Sequence, residues 1–515
     1  MTQNNIIGMI NEAKTGWSYY EGSIKQSEDA YFMRLPSEKK DYLEKHNMSS
    51  IYFPKINGKC KRITDALSET YFNNDKFAKL DGYINSDPKV LHKWQEAIDY
   101  YCEIVGLYKT FQPIFQEAPY VGTSIAKVYW HDGKCRIDKM NITDVRFDPR
   151  ARTSADVRFI VEDIYLTISD IKKYQASGIF KKSIKVDELF AESVPSERFK
   201  IQDVYYQEGG KWKLATVYNE STFLRENVNI PDGQPFVWGY LLAQLKAIYD
   251  DTYVASYGEP VVNCILPLQQ EMNETRNRMI DGMRQHLTPK IIMPKSAGVT
   301  RMDLETVGKP IFTSQPSSIT IVPPPNLQTA QANIQIIDNE MSESIGVSPQ
   351  QNGISSMQNK TATETSIMSN EGGVRMQGYI RTFNETFFEP IFDRLAMLVW
   401  KHGDERFFIG IDRKQVPSFK VNLNTGIGAL NKEVQKNSLM QAHQMINQQI
   451  QLNMGVQDLE GAKRMVKASE KIVREVLPLL GIKNVDEFLG KENDEQRISN
   501  SITPEIGAVS NSPIS

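Results

Sequence analysis

The chain has 515 residues, 40% of them hydrophobic, so it is long enough for about two to four domains and can bury a core. Its 60 basic and 63 acidic residues leave a net charge of −3, which argues against a protein that grips nucleic acid through overall positive charge. The four cysteines form no CxxC pair, and neither a signal peptide nor an apolar run of the ~20 residues that span a membrane is found, so we expect reduced thiols in a cytoplasm.

The first 120 residues predict mainly helices. In DALSETYFNNDKFAKL and KWQEAIDYYCEIVGLYKTFQPIF, apolar and aromatic residues recur three and four positions apart, which is the repeat of one helix face.

Residues 120–230 predict an α+β region. SIAKVYWHDGKCRIDKM alternates on both sides of Asp132-Gly133, which is a strong hairpin signal, and QDVYYQEGGKWKLATVYN predicts a second hairpin across Gly209-Gly210. Between them, VRFIVEDIYLTISDIKKYQASGIF predicts a strand, a Thr or Ser cap and a short helix. His131 beside Asp132 is better explained as a hairpin tip than as an acid/base pair.

A helix, a small β-rich insert and a second helix are predicted after Tyr257. Helically spaced apolar residues run to Leu287, and the helix should end before Thr288-Pro289 because a residue before proline resists helix. Residues 289–325 are β-branched and punctuated by Pro and Gly, and NLQTAQANIQIIDNEMSESIG is helical again. This order predicts an antiparallel helical pair that carries a small module at its far end.

A polar, nearly uncharged loop at about 348–360 precedes the next helix. Thr361 and Glu364 have the spacing of a capping box, in which a hydroxyl caps the helix N–H groups and a carboxylate reaches back.

That next helix should run to about Trp400. Gly372, Gly373 and Pro390 predict bends in it. Its apolar stripe consists of Met376, Ile380, Phe383, Phe387, Ile391, Leu395 and Leu398. A further helical block is expected at 430–480, and the tail lacks a core-forming pattern, so it should be mobile.

Few residues suggest catalysis. There is no GxxxxGK[ST], HExxH or GxSxG motif, the histidines are isolated, and the GIG triplet at 426–428 lacks the third glycine of a dinucleotide signature. Asp144, Asp148 and Asp156 lie among arginines in DVRFDPRARTSADVRF. They are compatible with a divalent-metal cluster, although an ion-pair network in a loop is the simpler interpretation.

In their order, these pieces resemble the portal protein of a tailed bacteriophage, and particularly those of short-tailed phages. APYVGTSIAKVYW followed by NITDVRFDPRA resembles the wing region, and YGEPVVNCILPLQQEMNETRNRMID resembles the lead-in to the first stem helix. NGISSMQNKTATETSIM is similar to the tunnel-loop segment, and VNLNTGIGALNKEV and LLGIKNVDEFLG resemble the two ends of the terminal helical region. The resemblance covers roughly residues 50–490.

The resemblance implies an α+β, predominantly helical portal fold with wing, stem, clip and crown, assembled into a ring. We expect no long C-terminal helical barrel after the crown. The expected parts are the wing (1–256), stem helix 1 (257–288), the clip (289–325), stem helix 2 (326–347), the tunnel loop (348–361), a long kinked helix returning to the wing (362–429), crown helices (430–490) and a flexible tail (491–515).

The function so implied is a DNA conduit at one capsid vertex, used in genome packaging, retention and ejection. The implied partners are further copies of the chain (usually twelve in the ring), double-stranded DNA, the terminase large subunit, tail adaptor or connector proteins, and major capsid and scaffolding proteins, with no membrane. No enzyme activity, cofactor or metal is implied, and the location is the virion after assembly in the bacterial host cytoplasm. The alternatives are a metal-dependent phosphoesterase using the three aspartates, or another ring-forming tail adaptor.

The resemblance also assigns candidate binding residues. In the tunnel loop, uncharged side chains and one lysine would touch passing phosphates weakly, unless this is an ordinary surface loop: Gln350, Gln351, Asn352, Ser355, Ser356, Gln358, Asn359 and Lys360. In the clip, the candidates for contact with DNA or a motor subunit, unless they lie on a solvated β surface, are Lys290, Lys295, Arg301 and Lys309. In the stem, the polar candidates to face the lumen or the outside are Asn273, Arg276, Asp281, Asp338 and Glu340.

Overall fold

The computed structural model describes residues 1–72, 78–82, 87–190, 197–246, 254–287, 328–347 and 374–423, together with residues 194 and 250 and short pieces between 291 and 321. The chain divides into two compact units, residues 1–424 and 425–515, and the described residues all belong to the first. The predicted crown helices, the tail and the GIG triplet therefore lie outside the described residues.

Helices dominate residues 1–121, as the apolar spacing predicts. They are α1 (Gln3–Tyr31), α2 (Ser37–Lys45), α3 (Lys55–Phe72), α4 (Pro88–Val105) and α5 (Leu107–Val121). One part of the helical prediction is wrong, because the end of the first stretch forms the strand β1, Ala78–Gly82. This strand pairs antiparallel with β12, Phe419–Leu423, near the far end of the described chain, so its neighbours in sequence do not reveal it.

Two antiparallel sheets form the α+β region. Their strands are β2 (Thr123–His131), β3 (Lys134–Met140), β4 (Val145–Phe147), β5 (Phe159–Thr167), β6 (Arg198–Glu208), β7 (Lys211–Tyr218), β8 (Thr222–Asn229) and β9 (Phe236–Tyr240). One sheet has the strand order β3-β2-β9 and the other β4-β5-β6-β7-β8. The short helices α6 (Ile168–Ala176) and α7 (Val186–Leu189) lie between β5 and β6.

Both predicted hairpin turns are confirmed. Asp132 and Gly133 have φ angles of 49° and 72°, and Gly209 and Gly210 have φ angles of 60° and 73°. This left-handed backbone matches the twist of the flanking strands. The predicted cap is also present, since the Asp170 N–H donates to Thr167 Oγ1 over 3.3 Å at the start of α6.

The core has a sheet-facing part and an aromatic part. Ile6, Ile10 and Ala13 of α1 recur at helical spacing and pack against the buried side chains of β5, β6 and β7. Where α3 and α5 meet the last helix, Phe115 and Phe388 lie with their ring centroids 5.7 Å apart.

The last helix carries the predicted apolar stripe. Residues 374–383 are helical and continue through a π-helical turn, Asn384–Phe388, into α10, Glu389–His402. The stripe is buried from Ile380 to Leu398, and Met376 at its start is half-buried. The π turn ends just before Pro390, which has no N–H to donate, and the bend itself stays a prediction. The capping pair and the two glycines predicted as bends lie outside the described residues.

No helix among the described residues combines the length and the apolar composition needed to cross a membrane.

Candidate functional site: the helix pair and the segment that binds it

The predicted helix, β insert and second helix are present. They are α8 (Leu266–Leu287), the strand pair β10 (Ile291–Ile292) and β11 (Thr320–Ile321), and α9 (Gln328–Ile345). The two strands pair antiparallel, and the two helices pack together, with Asn333 Nδ2 donating to Glu271 Oε1 over 3.3 Å.

The first helix begins later than the sequence predicts. Residues 261–265 form a 3-10 turn, and the chain before it is extended, with Gly258 in an antiparallel bridge to Ala243. The Gly258 N–H donates to Thr123 Oγ1 over 2.8 Å, and a Cβ at this glycine would lie 2.6 Å from the Gly122 carbonyl oxygen. This close backbone contact holds the lead-in extended, so helix starts only after it.

A row of polar side chains on α8 binds the backbone of residues 49–56, which we call the strap. The row, which we call the polar ladder, has members four residues apart: Gln269, Asn273, Asn277 and Asp281. Their oxygens accept from strap N–H groups in order: Asp281 from Ser49 at 3.1 Å, Asn277 from Ile51 at 3.0 Å, Asn273 from Phe53 at 3.0 Å and Gln269 from Ile56 at 3.2 Å. Two strap carbonyls accept in return, those of Ile51 from Asn277 and Phe53 from Gln269.

The ladder works because two backbone geometries match. Four residues of α-helix advance about 6 Å, and two residues of extended chain advance about 6.6 Å. Asp281, Asn277 and Asn273 therefore meet alternate strap residues with little accumulated mismatch, and Gln269 meets Ile56 three residues further on, in the first turn of α3.

This arrangement corrects the predicted faces of the stem residues. Asn273 and Asp281 bind the strap of their own chain. Arg276 lies over the ring of Phe53, 5.1 Å from its centroid. The sequence carries a sign of this, namely amides and an acid repeating every fourth residue, but it does not say what the polar row binds.

The second helix is held by Lys55 at the end of the strap and by Lys59 just after it. Lys55 Nζ lies 2.8 Å from Asp338 Oδ2, and the nearly buried Lys59 ammonium lies 3.3 Å from Asp338 Oδ1. Burial lowers the pKa of Lys59, against the opposing effect of Asp338. Burial alone would raise the pKa of Asp338, but the hydrogen bond from Lys55 and the two lysine charges lower it.

Asp338 is thus a structural counter-ion, which corrects its predicted exposure on the stem. Glu340 is exposed, and its role stays a prediction.

The other predicted site residues stay predictions. The tunnel-loop candidates from Gln350 to Lys360 lie outside the described residues, and so do the clip candidates Lys290, Lys295, Arg301 and Lys309.

The aspartates of the rival metal site are occupied separately. The buried Asp148 accepts from Arg158 Nε at 2.9 Å, Asp144 accepts from Asn141, and Asp156 accepts from Thr153. Across the residues that the structure describes, no group of three or more His, Cys, Asp or Glu side chains could hold a metal ion. Asp148 thus forms an ion pair of the kind that the simpler interpretation predicts, whereas Asp144 and Asp156 bind neutral side chains.

Comparison with known proteins places this helix pair in a family. The model of the phage SU10 portal protein family matches residues 249–505, which include both helices and the insert between them. The chain therefore belongs to the phage portal proteins.

The other comparisons add little. Among 83 matching chains of solved structures is one from the neck of an empty GTA particle computed with C6 symmetry. The match covers 76% of this chain and 86% of that chain, at 11% identity and a TM-score of 0.35, which does not establish a shared fold. No curated protein matches the chain.

Proposed function

We propose that copies of this chain form a ring at one vertex of a phage capsid and that double-stranded DNA passes through its axis during packaging, retention and ejection. The observation that carries the proposal is the portal family match over residues 249–505. The order of helix, strand pair, helix and long apolar-striped helix within those residues supports it.

The parts of the ring are assigned by the same proposal. The wing is residues 1–256, α8 and α9 form the stem, and residues 289–325 form the clip that receives the terminase large subunit and later the tail adaptors. The tunnel loop, 348–361, projects toward the DNA, and the crown, 430–490, lies toward the capsid interior. Capsid and scaffolding proteins contact the outer surface, and the short-tailed type and a count of twelve copies belong to the proposal as well.

The near-neutral charge of the chain suits a conduit. A wall rich in lysine would displace counterions from DNA and hold it tightly. The proposed loop offers amides, hydroxyls and one lysine per copy, so each phosphate contact would be weak and easily exchanged.

The assembly is tested by mass photometry and negative-stain imaging of the purified full chain at several salt concentrations. Closed rings with a central hole are expected, and a protein that stays monomeric at micromolar concentration would contradict the proposal.

Function needs a separate test. Rings mixed with terminase, ATP and procapsids should support DNA packaging, whereas the ring alone should show no ATPase or nuclease activity. A tail adaptor would form rings that do not replace the portal in this assay. Metal-dependent phosphoesterase activity of the ring alone would favour the enzyme alternative.

A further inference from the structure

The segment before the strap is held much less firmly than the strap itself. Residues 34–48, which we call the flap, contain α2, and no residue of α2 is buried. The flap reaches α8 through an ion pair between exposed side chains, with Lys39 Nζ 4.0 Å from Glu274 Oε1. Such a pair contributes little to stability, because its charges are screened by water.

A cavity of about 460 Å³ separates the flap from the helix beneath it. Leu35, Leu43 and Met48 line it from the flap side, and Glu274 and Arg278 line it from α8. Protein interiors are normally close-packed, so a half-covered space of this size means that the flap rests above α8 without interlocking with it.

Each end of the flap lies at a left-handed residue that closes a helix, Met33 after α1 and Asn47 after α2, where the N–H groups of Arg34 and Met48 donate to the carbonyls of Asp29 and Leu43. Met33 has a φ of 58° and Asn47 has a φ of 50°. Asparagine visits the left-handed region fairly often, but methionine does so rarely and at an energetic cost. Two single-residue corners thus connect the flap to firmly packed neighbours, α1 on one side and the strap on the other.

We propose that residues 34–48 are a hinged flap, which turns about Met33 and Asn47 to cover or uncover the outer face of α8 while the polar ladder holds the strap in place. The structure shows the open arrangement, because Gln270, Glu274 and Arg278 on that face are exposed, and closure of the flap over the cavity covers them. The device rests on the cavity, the two corners and the ladder, and it does not depend on the assembly proposed above.

Spin-label distances test the motion directly. In a full-length chain with exposed Cys264 replaced by serine, one label at Met283 on α8 is paired with a second at Tyr42 on the flap or at Ile51 on the strap. All three positions are exposed, and labelled chains are diluted with unlabelled ones so that each distance is measured within one chain. A broad or two-peaked distribution is expected for 42–283 and a single narrow peak for 51–283; a narrow peak for both would overturn the proposal.

The ladder and the packing of the flap are tested by substitution. Asn277→Ala should broaden the 51–283 distribution, because Ile51 loses both of its backbone partners on α8. Leu43→Ala should lower the melting temperature by about 1 °C or less, whereas Leu67→Ala in the core of α3 should lower it by several degrees. Equal decreases in melting temperature for the two substitutions would show that α2 is packed as part of the core, and the proposal would fail.

Discussion

At the scale of single residues, the structure places a nearly buried lysine on one of the N-terminal helices. Lys59 occupies the inner face of α3 with 5% of its side chain exposed, and it reaches Asp338 of α9. A buried charge is tolerated only with a partner, so removing one side of the pair should not be equivalent to removing the other.

The two halves of this pair can be compared by mutation. Asp338→Asn leaves Lys59 buried without a counter-charge and should cost about 3 kcal/mol of unfolding free energy. Lys59→Met removes the buried charge, and Asp338 keeps Lys55, so the loss should be below about 1 kcal/mol. Urea unfolding followed by tryptophan fluorescence measures the unfolding free energy of both variants. A larger decrease for Lys59→Met than for Asp338→Asn would contradict the role of Asp338 as the counter-ion of Lys59.

Asp232 provides a second ion pair with a predictable dependence on pH. It lies before β9, 2.9 Å from His402 Nε2 and 3.2 Å from Lys401 Nζ at the end of α10. Burial alone would raise the pKa of Asp232, but the hydrogen bonds from His402 and Lys401 outweigh it and lower the pKa. A carboxylate with a lowered pKa in the folded state stabilises that state above its unfolded pKa, and this contribution is lost as the pH falls through the folded value.

Asp232→Asn should therefore cost about 1 kcal/mol at pH 7. The difference in unfolding free energy between Asp232→Asn and the unmodified chain should shrink once the pH falls below about 4, the ordinary aspartate pKa. Thermal unfolding of both chains from pH 7 to below this value measures the difference. Asp41→Asn, at an exposed position on α2, is the matched control and should show no such pH-dependent difference.

At the scale of elements, α8 carries one apolar stripe that is buried in its first part and exposed at its C-terminal end. Met272 and Met279 are buried, but Met283 is 50% exposed and Leu287 is 84% exposed. The exposed end continues into Ile292 of β10, which is 62% exposed. In the proposed ring, a neighbouring copy covers Leu287 at this end, and a leucine so buried contributes about 1.5–3 kcal/mol.

Leu287→Asp tests that role of the stripe. It should leave the circular dichroism spectrum unchanged and shift the particles from rings toward single chains in mass photometry. Tyr165→Asp serves as the control, because Tyr165 is also an exposed apolar side chain, at 51%, but lies on β5, away from the helix pair. Rings of Leu287→Asp as stable as those of the control would show that the exposed stripe is not an interface.

At the scale of the whole molecule, the proposed conduit predicts a division between assembly and transport. Deleting Gln351–Gln358 removes most of the uncharged side chains proposed to contact phosphate but none of the stem, so rings should still form. DNA packaging or retention should be reduced, as measured by nuclease-protected DNA per capsid. Loss of folding after the deletion would instead mean that the loop is structural.

Local chemistry made much of the fold predictable. Asp132-Gly133 and Gly209-Gly210 specify hairpins because their backbone must turn with positive φ, and the stripe from Ile380 to Leu398 follows from helical spacing alone. The portal family was likewise recognisable from the order of helix, β insert and helix.

Long-range pairing was decided only by the tertiary structure. Ala78–Gly82 was predicted as helix and became a strand because Phe419–Leu423 supplies its hydrogen bonds. Asn273, Asp281 and Asp338 were candidates to face the lumen or the outside because they are polar, yet residues 49–59 of the same chain bind them. Periodicity tells which side chains share a face of a helix, but the partner that meets a polar face comes from elsewhere in the chain, and its position is set only when the chain folds.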